Sequence, residues 1–216
     1  MSLPTLNDII DIASAGGSVS VSDILRKSLV LANSLGVKDF ESWIRRELNG
    51  YTSTDELPNY RISYGILKAI NPRLGLIPFY VKSDLNEVLS KIKLVGAISG
   101  YEKLIKDSET TGDSNLMFPF ENPYDLMLKL GCDLEITRTL PITNICVLLD
   151  SVKTIILDWG LKLKDNGIAE NKSSFSPSEK KEARSVVNNI IIENFQGVLG
   201  NISDSKLNLD ADISDK

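Results

Sequence analysis

Residues Val37 to Ile62 read VKDFESWIRRELNGYTSTDELPNYRI, and their reading decides the fold class. Phe40, Trp43, Ile44 and Glu47-Leu48 fall at helical spacing, with Arg45 and Arg46 on the outer side. The helix is expected to stop at Asn49-Gly50, because glycine accepts the left-handed conformation that strains other residues. A polar loop follows, Pro58-Asn59 makes a turn, and an alternating run begins at Tyr60. Within this one stretch the apolar period changes from helical to strand-like. That change predicts a mixed domain.

Upstream, Thr5-Leu-Asn-Asp8 and Ser20-Val-Ser-Asp23 have the form of helix-start capping boxes. They open a short helix ended by Gly16-Gly17, and a second helix from about Val21 to Ser34 that is apolar on most sides. With the Trp43 helix these make a three-helix unit. Downstream, Tyr60, Ile62, Tyr64 and Ile66 alternate with Arg61, Ser63 and Gly65, the pattern of a half-buried strand. Ile70 to Gly75 reads as a turn, and Leu76 to Val81 as a second strand that Pro78 places at a sheet edge.

The region from Asp84 to about Lys106 shows one apolar stripe and predicts a single helix, with Gly96 and Gly100 inside it. Residues 107–119 read as a loop, Pro123 to Leu130 as a short helix, and Leu134 to Arg138 as a strand-like connection. Pro141 to Lys164 is the longest helix expected, with Ile145, Leu148, Leu149, Val152, Ile155, Ile156, Trp159 and Leu163 on one stripe. Ser176-Pro-Ser-Glu179 opens a further short helix. Near the C-terminus Leu207, Leu209, Ala211 and Ile213 alternate with polar residues. Two readings stay open there: an acidic disordered tail, or a strand that pairs with another chain. The predicted fold is α+β and mainly helical. It has an N-terminal three-helix unit, a small antiparallel sheet, two long packed helices and a β-like C-terminal segment. A globular domain is expected over residues 3–195 and a β-prone or disordered tail over 196–216.

The chain of 216 residues is long enough for one sizeable core, and its net charge of −5 argues against nucleic acid as a partner. It contains no histidine, so Ser-His-Asp and Cys-His machinery and histidine zinc sites cannot be built from it. Cys132 and Cys146 lack metal spacing and are expected to be buried free thiols, which fits a reducing compartment. The first residues lack a signal-peptide pattern and no apolar run is long enough to span a bilayer, so the cytoplasm is the expected location.

Candidate chemistry is sparse. Glu41, Glu47, Asp55 and Glu56 cluster in sequence, but surface carboxylates of this kind are common and are expected to be solvated. Gly16-Gly17-Ser18 lacks the lysine and the preceding strand of a phosphate loop. Asp23 with Arg26 and Glu41 with Arg45 have ion-pair spacing on helices. Trp43 and Trp159 lie on apolar stripes and are expected to anchor the core. No cofactor or metal is implied.

Three segments in order resemble the AbiTii domain of bacterial abortive-infection proteins. They are SVSVSDILRKSLVLANSLG with FESWIRRELNGY and LPNYRI; LLDSVKTIILDWGLKLKDNGI; and FSPSEKKEA leading into NIIIENFQGVLGNIS. The resemblance covers roughly residues 3 to 203, and its most specific part is Glu47 to Tyr51 with Leu57 to Arg61. It implies a role in defence against phage and carries no active site with it. Because nothing large follows residue 203 in this sequence, effector activity is expected in a separate chain or in this domain itself. The expected role is therefore a non-catalytic interaction and oligomerisation module that binds a protein effector or toxin and self-associates. The alternatives are an antitoxin-like regulator of a neighbouring toxin, or a carboxylate- and metal-dependent nuclease-type effector. Arg46, Tyr51, Tyr60 and Arg61 are the candidate interaction residues. Phe195, Val198, Leu199, Ile202, Leu207 and Leu209 are the candidate assembly residues.

Overall fold

The computed structural model describes residues 4–15, 19–168 and 175–187. The fold is α+β and mainly helical, with a small antiparallel sheet. The β-like C-terminal segment, the boundary at 195 and all six candidate assembly residues lie outside the described residues. Backbone contacts divide the chain into two compact units. One, the helical unit, draws on Met1–Asn59, Val95–Glu102 and Leu149–Lys216; the other, the sheet unit, on Tyr60–Leu94 and Lys103–Leu148.

The helical unit begins with the expected three helices: α1 (Leu6–Ser14), α2 (Val21–Leu35) and α3 (Lys38–Asn49). Their ends follow the sequence signals. Thr5 and Asp8 form the reciprocal capping box at α1. Gly36, at φ 72°, closes α2 in the left-handed conformation that an L side chain resists. Two further ends are satisfied from far along the chain. The Glu102 carboxylate accepts the Val21 N–H at 2.5 Å and the Ser22 N–H at 3.3 Å, placing negative charge at the positive end of α2. The Lys153 ammonium donates to the Ala15 carbonyl at 2.5 Å, at the negative end of α1.

The core of this unit is built on Trp159, which is fully buried, as its place on an apolar stripe predicts. Its ring lies 4.4 Å from that of Phe40, which stacks at 4.9 Å on Trp43. Gly160 beside it lets α1 come close, since a Cβ there would sit 2.8 Å from the Ile10 side chain. Residues 177–187 form a further helix. Its start is capped as expected: the Ser176 N–H and hydroxyl both donate to Glu179 at 2.8 Å.

The sheet unit holds β1 (Ile62–Tyr64), β2 (Ile66–Asn71), β3 (Gly75–Pro78), α4 (Ser83–Ser90), β4 (Lys91–Lys93), β5 (Asn115–Pro119), α6 (Pro123–Leu130) and β6 (Ile136–Pro141). Two long helices cross between the units in the chain path. They are α5 (Ile98–Thr111), which begins in the helical unit, and α7 (Ile142–Asp165), which ends in it. A four-stranded antiparallel sheet has the order β3-β2-β6-β5, and β1 pairs separately with β4. The β2–β3 turn is as expected, with the Asn71 side chain accepting from the N–H groups of Arg73 and Leu74, and Gly75 at φ 70°.

Several expectations need correction. The single helix over 84–106 is instead α4, β4 and α5. Lys91-Ile-Lys93 alternates, Ile92 is buried, and the segment pairs with β1. Gly96 then makes a break, where its N–H donates to the Tyr101 hydroxyl at 3.0 Å. The alternating run from Tyr60 is also divided, by Gly65, between two sheets. A Cβ at Gly65 would lie 2.7 Å from Ile92 and 3.0 Å from the Thr139 carbonyl, so only glycine fits that crossing. Finally, the expected loop over 107–119 contains the end of α5 and all of β5. The cysteines are free, but half-buried rather than fully buried.

Gly50 ends α3 as expected, but in another conformation than the left-handed one. Its φ of 89° and ψ of 171° are open essentially to glycine alone. A Cβ there would also fall 2.9 Å from the Val95 carbonyl oxygen. Gly50→Ala is therefore expected to cost at least about 2 kcal/mol in chemical denaturation. Gly131→Ala is the control, since Gly131 has φ 61° and open space around it. It should cost only about 1 kcal/mol, the conformational part alone.

Candidate interaction surface

The junction after α3 is an interior feature. Gly50 leads directly into Tyr51, whose backbone N–H donates to the Val95 carbonyl at 2.8 Å. The Tyr51 ring is buried, and its hydroxyl donates to the fully buried Glu47 carboxylate at 2.6 Å. Arg61 lies in the sheet unit and is fully buried; its guanidinium donates to the Leu94 carbonyl at 2.5 Å, and the Leu94 N–H donates back to the Arg61 carbonyl at 2.8 Å. Tyr60 is half-buried in the short 3-10 turn before β1. Arg46 is exposed and pairs with Asp55 at 3.4 Å. Of the four candidates, then, two are interior and two reach the surface.

The carboxylates of this region are not all solvated as expected, since Glu41 and Glu47 are buried and Asp55 is half-buried, while Glu56 is exposed. Glu41 is buried and accepts from Lys38 at 2.8 Å and from Asn33 at 3.4 Å. Asp55 accepts the Thr52 N–H and hydroxyl, each at 2.7 Å. These two bonds, the backbone one first, hold its carboxyl below the ordinary 3.8, with Arg46 adding a smaller attraction. Among the described residues no group of three or more side chains is placed to hold a metal ion. A groove of about 620 Å³ is lined by Asp11, Asp23, Arg26 and Lys27, of which Arg26 and Asp23 pair with each other at 2.6 Å.

Arg138, which sequence reasoning did not single out, ties the sheet unit together. It sits in β6 between Thr137 and Thr139 and packs over the Phe120 ring at 4.2 Å. Its guanidinium donates to the Lys91 carbonyl in β4 at 2.8 Å and to the Phe118 and Pro119 carbonyls in β5 at 3.3 and 3.0 Å. One side chain thus joins both sheets of the unit. Burial lowers its pKa from the usual guanidinium value, while nearby Glu121 opposes that shift.

The exposed surface of the same unit is unusually apolar. Among the described residues, twelve of the fifteen exposed large apolar side chains belong to it. On α6, Tyr124 and Leu128 lie one turn apart and are 80% and 84% exposed. Tyr80 and Val88 reach 87% and 70%. The α6 sequence PYDLMLKL carries apolar residues on every side, a pattern normal for buried helices, yet none of its residues is buried. That mismatch was the available sequence signal.

A family model, AbiTii, matches residues 4–188. The chain belongs to the AbiTii family. Membership ties it to bacterial abortive infection, a defence against phage. Neither a curated protein nor a solved structure matches it. Among the described residues of this AbiTii chain, no helix is long and apolar enough to cross a membrane.

Two outcomes follow for the AbiTii fold. Arg138→Lys keeps a charge but loses the planar fork that reaches three carbonyls, so it should lower stability to urea by about 2 kcal/mol. Asp55 has a folded pKa below its unfolded one, so its contribution is present above pH 3.8 and is lost as pH falls through the folded value. Its carboxyl carbon should titrate below 3.8 by NMR, and Thr52→Val should move the midpoint only part of the way back. A wild-type midpoint at or above 3.8 contradicts the assignment.

Proposed function

We propose that this chain is a non-catalytic interaction module of an abortive-infection system, acting with a separate protein effector. The observation that carries the reading is the exposed Tyr124 and Leu128 ridge on α6. Large apolar side chains concentrated on one part of a surface mark a place where another protein docks. Tyrosine at such a site supplies a large, stiff contact area with a polar tip. Asp125 beside the ridge is already matched by Lys129 at 2.6 Å. The partner surface that fits is therefore an apolar groove, which takes a short helix by its ridge. The interior placement of Tyr51 and Arg61 supports a structural role for the residues most characteristic of the family.

The test uses the full chain expressed with its neighbouring genes. Tyr124→Ser combined with Leu128→Ser should reduce co-purification of the neighbouring gene product roughly tenfold or more and abolish protection in a phage plaque assay. The circular dichroism spectrum and melting temperature should stay unchanged, because neither side chain is buried. Undiminished co-purification and protection in the double variant overturn the reading.

A further inference from the structure

Sheet order, backbone direction and charge in the sheet unit together specify a second partner, beyond the effector proposed above. Among the described residues β3 pairs only with β2, and β5 only with β6, so these are the two edges of the four-stranded sheet. The pairing that flanks each edge strand fixes which backbone groups point away from the sheet. The Ile142 N–H donates to the Ser114 carbonyl, so Ser114, Leu116 and Phe118 bond inward; Asn115, Met117 and Pro119 point outward. The Phe79 N–H donates to the Leu67 carbonyl, so Gly75 and Ile77 bond inward; Leu76 and Pro78 point outward. The Arg138 guanidinium takes the Pro119 carbonyl.

The two edges match. Every neighbouring pair in the sheet is antiparallel, so β3 and β5 run in opposite directions. A second copy displaced along the sheet, without reversal, would set its β3 antiparallel beside β5 of the first. Met117 lies across from Thr139 and Ile66, and Leu76 across from Ile70, which places Met117 and Leu76 on the same sheet face. Both are exposed, and both present outward backbone. They are therefore able to stand opposite each other as a bonded pair with touching side chains.

Charge selects this arrangement over its symmetric rivals. From Asp107 to Glu135, around β5, the chain carries seven acidic side chains and one lysine. From Ile62 to Lys82, through β2 and β3, it carries Lys68, Arg73 and Lys82, with Asp84 and Glu87 following on α4. Pairing β5 with β5, or β3 with β3, brings like charges together, whereas β5 with β3 brings opposite charges together. We propose that copies of this chain associate head to tail through β5 and β3, continuing the antiparallel sheet from one copy to the next. Such a heterologous contact gives a ring or an open filament rather than a closed dimer. The inference stands on the sheet edges and not on the α6 ridge, so either can fail alone.

Sedimentation of the purified full chain tests it. The wild type should form a concentration-dependent series of masses that shortens as salt rises, because exposed charges are screened. Met117→Pro removes an outward N–H at the β5 edge, and Leu76→Pro removes one at the β3 edge. Each variant alone should be a monomer, and an equimolar mixture should give one species of twice the mass and nothing larger. A dimer from either proline variant alone indicates symmetric pairing and overturns the proposal, as does a mixture that stays monomeric. Wild type that is monomeric up to about 1 mM, the weak end of specific association, overturns it too. A second set leaves the backbone intact. Arg73→Glu with Lys82→Glu, and Asp113→Lys with Glu121→Lys, should each be monomeric, while their mixture should restore the series. Failure of the mixture to associate counts against the proposal.

Discussion

The carbonyl oxygen of Val95 occupies the space that a side chain on residue 50 would need. Much of the helical unit depends on that contact. It allows the Tyr51 N–H to bond the Val95 carbonyl, which fixes the start of the returning segment at residue 95. The next residue, Gly96, bonds the Tyr101 hydroxyl and leaves room for the Tyr101 ring. One residue past Tyr101, the Glu102 carboxylate closes the N-terminus of α2. Two glycines and one carboxylate thus connect the end of α3 to the beginning of α2 through a segment distant from both in sequence. Glycine adopts this conformation without strain, whereas any side chain at residue 50 would be strained and would meet the Val95 carbonyl, so the bonds around it depend on glycine there.

The sheet unit solves a different problem. Its short strands form two sheets, and neither is large enough to be stable without help. Gly65 lets the chain pass from β1 to β2 against Ile92 and the Thr139 carbonyl. Arg138 then supplies charge-assisted bonds to three carbonyls in two other strands, each stronger than a neutral bond. A lysine has a compact ammonium and lacks the planar fork to do this. The unit therefore rests on one residue with no side chain and one with an unusually capable one.

These features explain what the sequence could and could not reveal. Signals carried by nearest neighbours were legible: the capping boxes at Thr5-Asp8 and Ser176-Glu179, Gly36 after α2, the α7 stripe, and Pro78 at an edge. Features set by distant partners were not. The apolar spacing from Leu85 to Ile105 fits one helix, and only pairing of Lys91–Lys93 with β1 shows that it is divided. The strand β5 is hidden in a polar surrounding, and its identity comes from β6 across from it. The candidate site was legible in the same uneven way. Tyr51 and Arg61 stand out in sequence because they lie in the most specific part of the family resemblance, yet their polar groups serve interior bonds. Tyr124 and Leu128 look like core residues by period, and their exposure follows only from the absence of a cover over α6 among the described residues.

The two sheet edges carry their own limits. Exposed edges invite uncontrolled association, and proteins blunt them with short strands, prolines and charge. All three devices are present here. The strand β3 has four residues and β5 has five. Pro78 and Pro119 fall at outward positions, where each removes a donor, leaving Leu76 on one edge strand and Asn115 and Met117 on the other as outward N–H groups. Charge of opposite predominant sign lies around the two edges in sequence, acidic at β5 and basic at β3, and each repels its own kind. A surface shaped only to prevent pairing would carry the same sign on both edges. Opposite signs instead suppress the symmetric contacts and leave one asymmetric contact favoured, held by few bonds and therefore easily reversed.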